Sequence, residues 1–72
     1  MATDQKITVS VNGTDMVLES GSHLGILANK LRLPEKGVAI ALEREIVPKA
    51  LWESTKLLSG QQVEVVSIAA GG

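Results

Sequence analysis

Cysteine is absent from this 72-residue chain, and histidine occurs only once. Without cysteine the protein can form no disulfide bond and no thiolate metal site, and it has no thiol nucleophile. A second histidine that could share a metal ion is missing, and no glycine-rich phosphate loop follows a predicted strand. We therefore predict a protein that is not an enzyme, with no catalytic residue and no metal site.

Long apolar segments are also missing. The longest unbroken run, Val38 to Leu42, is far shorter than the roughly 20 residues that a membrane-spanning helix needs. The first residues, MATDQK, lack the apolar segment of a signal peptide. Seven basic and eight acidic residues are interspersed along the chain, which argues against a nucleic-acid partner. The sequence thus predicts a soluble cytoplasmic protein of one domain that binds neither nucleic acid nor a membrane.

The first clear pattern is an alternation of aliphatic and polar residues near the start of the chain. The segment ITVSV, residues 7–11, has the period of a strand with one buried face. Asn12 and Gly13 follow, and this pair tolerates the positive φ values of a type I′ turn. The pattern predicts a β-hairpin whose second strand covers residues 15–19.

Helical spacing comes next. Four apolar residues form one stripe, namely Leu24, Leu27, Ala28 and Leu31. Ser22 is the expected N-cap of this helix, and Pro34 predicts that the helix ends near residues 31–32. Gly25 lies inside the helix at a cost of up to about 1 kcal/mol, which we interpret as a close approach of the helix to the sheet.

The second half of the chain returns to strands. Residues 38–42 alternate as a strand, a short extended piece follows at residues 46–47, and a tight helical turn is expected at residues 50–52. Trp52, the single aromatic residue, is expected to cover one end of the core. The last strand is predicted at residues 63–68.

These elements together predict an α+β fold. One amphipathic helix in so short a chain can bury its stripe only against one face of a mixed sheet. The first and last strands can then lie side by side and parallel in the centre, an arrangement that resembles the β-grasp fold of ubiquitin. We predict a ubiquitin-like domain at residues 1–68 and a flexible tail at residues 69–72 that ends in Gly-Gly.

Three segments carry a resemblance over essentially the whole chain. They are VNG at the first turn, VAIALEREIVPKALW in the middle, and LLSGQQVEVVSIAAGG at the end. In these segments the sequence resembles the ThiS family of thiamine-pathway sulfur carriers. It departs from the family's usual residues at Glu43, where an Asn is common, and at Gln61, where an Asp is common. Both positions are expected in turns.

The resemblance implies a function for the two final glycines. In the family a ThiF-like enzyme uses ATP to adenylate the terminal carboxylate, which here belongs to Gly72. A persulfide sulfur derived from a cysteine desulfurase then yields a thiocarboxylate, and the sulfur passes to a ThiG-like thiazole synthase. Gly71 and Gly72 have no Cβ, so they can thread the enclosed sites of both partners. The resemblance implies that the carrier itself binds no cofactor.

A docking surface is expected beside the tail. If Val63 and Val65 face the helix, Val66 and Ile68 lie on the opposite face of the sheet, together with Ala39 and Ala41 of the preceding long strand. Exposed aliphatic residues near the tail predict a partner-docking patch formed by Val66, Ile68, Ala39 and Ala41.

Three alternative functions stay open from the sequence. The chain could be the small subunit of molybdopterin synthase, although the proline-containing sequence usual before that tail is absent. It could carry sulfur for another pathway. It could also be a ubiquitin-like modifier or interaction module that conjugates to lysine. We expect a monomer, and we expect His23 to be solvated rather than functional.

Overall fold

The computed structural model describes residues 5–34 and 36–68. The elements in these ranges are β1 (Lys6–Val11), β2 (Thr14–Glu19), α1 (Leu24–Lys30), β3 (Val38–Leu42), β4 (Glu45–Val47), a 3-10 helix (Lys49–Ser54) and β5 (Gln62–Ser67). Each predicted element is present, and the boundaries differ by one to a few residues. In the described part of the chain, no helix has the length and apolar character needed to cross a bilayer.

The strands form one mixed sheet in the order β2-β1-β5-β3-β4. The central strands β1 and β5 run parallel, with Val11 opposite Val63. The other neighbouring strands are antiparallel. A parallel pair needs a crossover connection, and the chain between β1 and β5 supplies it through α1. The predicted α+β, β-grasp arrangement is confirmed.

The first hairpin turns at Asn12 and Gly13. Their φ values are 51° and 85°, as the type I′ turn requires. The register pairs Val11 with Thr14 and Ile7 with Leu18. This places the aliphatic residues of β1 and Leu18 on the same face of the sheet, where they contribute to the core.

Helix α1 packs its predicted stripe against the sheet. Leu24, Leu27 and Ala28 are buried, and Leu31 is the C-cap residue and packs against the core. The predicted N-cap was wrong, because the His23 Nδ1 atom accepts the hydrogen bond from the Ile26 N–H at 3.3 Å. Ser22 is buried and its hydroxyl donates instead to the Glu19 carbonyl oxygen at 2.7 Å. The hydroxyl therefore closes the turn that precedes the helix and does not cap the helix itself.

The space beside Gly25 is limited by residues other than the predicted ones. A Cβ at this position would lie 3.0 Å from two atoms of the His23 ring and 3.3 Å from Cγ of Glu53. The close approach is thus to the capping histidine and the 3-10 helix rather than to the sheet. A histidine ring is larger than a serine hydroxyl, so with this cap a side chain at position 25 would fit only if the ring shifted by a few tenths of an ångström.

Trp52 closes one end of the core, as predicted. It is 7% exposed, and its indole N–H donates to the Val47 carbonyl oxygen at 2.9 Å. Val9, Leu24, Leu27 and Ile40 are fully buried between the sheet and the helices. Each aliphatic side chain of this kind contributes about 1.5 to 3 kcal/mol of stability by leaving water.

The two departures from the family's usual residues lie in turns, as expected. Glu43 and Arg44 connect β3 to β4 with φ values of 51° and 73°. The Glu43 carboxylate accepts a hydrogen bond from the Gln62 N–H at 2.6 Å. Gln61 accepts one from the Leu58 N–H through its side-chain oxygen at 2.8 Å. The side chains of Glu43 and Gln61 therefore both accept hydrogen bonds from main-chain N–H groups at or just before the start of β5.

Candidate docking site at the end of the last strand

The alternation along β5 divides its side chains between the two faces of the sheet. Val63 is buried in the core and Val65 is half-buried against it. Val66 and Ile68 are 46% and 55% exposed. The predicted register is confirmed, and two aliphatic side chains face away from the helix close to the end of the described chain.

Strand β3 adds one of its two predicted residues to this surface. Ala39 lies directly across from Val66 and is half-buried. Ala41 lies on the same face, but it is only 5% exposed. It pairs with Ile46 on β4 and with Glu64 on β5, so it lies in the middle of three strands. Ala41 is therefore almost inaccessible to a partner, and the prediction that it belongs to the docking patch was wrong.

Ile46 belongs to this surface although the sequence did not suggest it. The residue pairs with Ala41 across the β3–β4 hairpin and is 62% exposed. Its neighbour Val47 packs against the core. In the sequence, the alternation between an exposed Ile46 and a buried Val47 was only a weak signal. The pairing of β4 with β3 was needed to place Ile46. We define the tail-side patch as Ala39, Ile46, Val66 and Ile68.

The rest of this open face is polar apart from Val17. Thr8 on β1 lies beside Val17 on β2, and Lys6 forms an ion pair with Glu19 at 3.8 Å. Glu64 is exposed within the apolar end, next to Ala41. The face is thus divided into a polar half on β1 and β2 and an apolar half on β3, β4 and the end of β5.

The chain stays attached to the sheet up to Ile68. Its N–H donates to the Gly37 carbonyl oxygen at 2.7 Å, which continues the β3–β5 pairing by one residue. Gly71 and Gly72 lie outside the described residues, and so does the whole predicted tail 69–72. Their proposed roles, and the domain boundary at residue 68, stay predictions. The described chain ends at Ile68, which belongs to the tail-side patch.

The helical side of the sheet carries a separate open cleft. Its volume is about 610 Å³, and it lies between α1 and the 3-10 helix, with Asn29, Lys49 and Glu53 among its lining residues. The Lys49 ammonium lies 5.9 Å from the centre of the Trp52 ring. Within residues 5–34 and 36–68, His, Asp and Glu side chains do not gather in groups of three or more that could hold a metal ion.

Comparison with known proteins supports the fold described above. Residues 2–72 match the model of the ThiS family. A protein of Porphyra purpurea named "Uncharacterized protein ycf40" is 26% identical over 69 residues, which cover 96% of this chain and 97% of that protein. The solved structure of a thiamine biosynthesis protein (ThiS) from Geobacter metallireducens superimposes with a TM-score of 0.79. It is 20% identical and the match covers 92% of this chain and all of that one.

Proposed function

Because the chain belongs to the ThiS family, we propose that it is a sulfur carrier protein in thiamine biosynthesis. The observation that carries the proposal is the family match, which extends through the two final glycines to residue 72. The structure adds an apolar patch beside the strand that leads to them. The protein would act as a cosubstrate of enzymes rather than as a catalyst.

The proposed chemistry takes place on the Gly72 carboxylate. A carboxylate is a poor electrophile, so one oxygen attacks the α-phosphorus of ATP and pyrophosphate leaves, giving an acyl adenylate. A persulfide sulfur then attacks the carbonyl carbon and AMP leaves. A second thiol reduces the resulting S–S bond and releases the Gly72 thiocarboxylate. ATP is bound by the partner, and the carrier binds no cofactor of its own.

Two protein partners follow from this scheme. A ThiF-like adenylating enzyme would activate Gly72, and a ThiG-like thiazole synthase would receive the sulfur; the persulfide would derive from a cysteine desulfurase. Both enzymes have to enclose the reacting group to exclude water. Gly71 and Gly72 would enter such narrow sites because they lack a Cβ, while the tail-side patch docks against the rim. We propose that the carrier is a monomer between these encounters.

The test is an intact-mass spectrum of the protein after incubation with ATP, a sulfur source and its cognate adenylating enzyme. We expect oxygen to be exchanged for sulfur at Gly72. Fragmentation of the C-terminal end has to locate the change, because oxidation of Met1 or Met16 adds nearly the same mass. A plain carboxylate at Gly72 after a reaction that is active on a known carrier would refute the proposal.

The matched control is the same chain with one alanine added after Gly72. It keeps the domain but moves the carboxylate out of its expected position, so we expect no adenylation and an unchanged melting temperature. Adducts to lysine side chains instead of a thiocarboxylate would identify a protein modifier. Sulfur on Gly72 without transfer to thiazole synthase would indicate a carrier for another pathway.

A further inference from the structure

The main-chain groups of β5 point alternately to its two neighbours. Ile68 donates its N–H to the Gly37 carbonyl oxygen, and the Glu43 N–H donates to the Gln62 carbonyl oxygen. Since both pairs fall on the register that joins β3 and β5, the even-numbered residues of β5 bond to β3. The N–H and C=O groups of Val63, Val65 and Ser67 therefore point to the other side, toward β1.

Strand β1 ends before it can satisfy all of these groups. Its last pair joins Val11 to Val63, and the Asn12 N–H donates to the Val63 carbonyl oxygen at 2.9 Å. The chain then turns back into β2. The Asn12 side-chain oxygen accepts the Val65 N–H at 2.8 Å and so completes one more bond.

An open edge follows that last bond. Among the described residues, no hydrogen-bond partner lies on this side for the Val65 carbonyl or for the N–H and carbonyl of Ser67. Ser67 is also exposed. We name the stretch from the Val65 carbonyl to the Ser67 carbonyl the free edge of β5.

We propose that an extended main-chain segment of the adenylating enzyme pairs with the free edge of β5 as an added strand. The segment occupies the place beside β5 that β1 leaves when it turns at Asn12. This inference rests on the proposed function, since it takes Gly72 as the group that the enzyme activates.

The chain between the sheet and Gly72 is short, so an enzyme that binds Gly72 has to approach this edge. Gly72 is the fourth residue after Ile68, and four fully extended residues span at most about 14 Å. The walls of the pocket that receives the Gly72 carboxylate therefore approach Ile68 within that length. In the proposed complex Ser67, the residue adjacent to Ile68, lies inside the contact area and loses water.

Desolvation of the free edge needs replacement hydrogen bonds. A buried N–H or C=O without a partner costs about 1 to 3 kcal/mol, and an extended segment satisfies both groups of Ser67 at once. The Asn12 amide already occupies the Val65 N–H, so the added strand can begin pairing only at the Val65 carbonyl. Its alternate side chains would lie beside Val66 and Ile68, and we expect them to be apolar there.

Two variants at one position test the added strand. Ser67→Pro removes the N–H of the free edge, which has no hydrogen-bond partner among the described residues. Proline is tolerated on strand edges. Ser67→Ala keeps the N–H and removes only the hydroxyl. We expect similar melting temperatures for the two variants. The affinity for the adenylating enzyme should fall by about 10-fold or more for Ser67→Pro and stay within about 2-fold for Ser67→Ala. Equal affinities of the two variants would overturn the proposal.

Amide hydrogen exchange on the unmodified chain gives a measurement that does not depend on how Ser67→Pro folds. The Ser67 N–H should exchange rapidly in the free protein and be protected in the complex with the enzyme. An unprotected Ser67 N–H in a complex that protects Val66 would contradict the added strand. Protection before the enzyme is added, together with a dimer in light scattering, would assign the edge to a second copy of the chain and overturn the proposed occupant.

Two outcomes distinguish an absent added strand from an absent sulfur-carrier function. If the unmodified chain forms a thiocarboxylate and Ser67→Pro does so with the same KM, the sulfur-carrier function stands and the added strand is refuted. If the unmodified chain is not adenylated at all, the function itself is refuted and the added strand falls with it.

Discussion

Asn12 shows how much a single residue can do in this fold. It adopts a φ of 51° at the hairpin turn, a conformation that asparagine tolerates better than most residues. Its side chain also accepts the Val65 N–H where β1 can no longer pair with β5. The turn of one hairpin and the central parallel pair thus depend on the same side chain.

Substitutions at Asn12 separate these two roles. Asn12→Gly keeps the positive φ and loses the hydrogen bond to Val65, so we expect a loss of about 1 kcal/mol in the free energy of unfolding. Asn12→Ala loses the hydrogen bond and also the tolerance of asparagine for a positive φ, so it should cost about 2 kcal/mol, of which about 1 kcal/mol comes from placing alanine in the left-handed conformation. Urea denaturation measures both values. Equal losses for the two variants would show that the turn conformation contributes nothing, and Asn12→Asp, which keeps an acceptor, serves as the control.

At the scale of the element, α1 is short and depends on its surroundings. Seven residues form too short a helix to be stable alone in water, so its stability comes from packing and from its caps. The His23 ring caps the first turn, and it also occupies the space where a side chain at position 25 would lie. The choice of histidine as the cap and the presence of glycine at position 25 are therefore coupled.

A double-mutant cycle tests the coupling between His23 and Gly25. In the natural background Gly25→Ala should change the unfolding free energy by less than about 0.5 kcal/mol, because the gain in helix propensity is offset by displacement of the histidine cap. In a His23→Ser background the smaller cap leaves room, and the same Gly25→Ala change should stabilise by about 1 kcal/mol. Thermal and urea unfolding of the four proteins give the coupling energy. Additive effects would show that the ring does not restrict position 25.

At the scale of the whole molecule, the open face of the sheet has one apolar half and one polar half. The apolar half lies at the end of β5 from which the predicted tail departs, with Val66 and Ile68 exposed. The polar half on β1 and β2 still contains an exposed valine, Val17, which is 59% exposed. Exposure alone does not distinguish Val17 from Val66, so we expect the position relative to the tail to mark the docking site.

Val66→Asp and Val17→Asp form a matched pair for the docking role of the tail-side patch. Each places a carboxylate on an exposed strand position that already has acidic neighbours on the same face, Glu64 for Val66, and Asp15 and Glu19 for Val17. We expect both variants to lose less than about 1 kcal/mol of stability. Only Val66→Asp should weaken binding to the adenylating enzyme, by at least about 10-fold, because an apolar contact becomes a buried charge. Calorimetry of both complexes measures this, and equal weakening would remove the patch from the interface.

Most of the fold could be predicted because its signals are local. The alternation at residues 7–11, the Asn12-Gly13 turn and the helical stripe from Leu24 each lie within a few residues of one another, and the structure confirms them. The candidate site was predicted only in part. Val66 and Ala39 followed from alternation along their own strands, whereas Ile46 followed only from the pairing of β4 with β3.

The sequence by itself determined the order and type of the elements. The parallel centre of the sheet and the faces to which the β5 side chains point were expectations that the structure confirms. Only the tertiary structure decided that Ala41 is buried and that, within residues 5–34 and 36–68, β5 extends past the end of β1 and leaves Ser67 with an open edge. The physical reason is the sequence separation of the residues involved. The faces to which side chains point follow from the regular backbone of one strand or helix, but burial and unpaired hydrogen-bonding groups depend on segments that lie far apart in the chain.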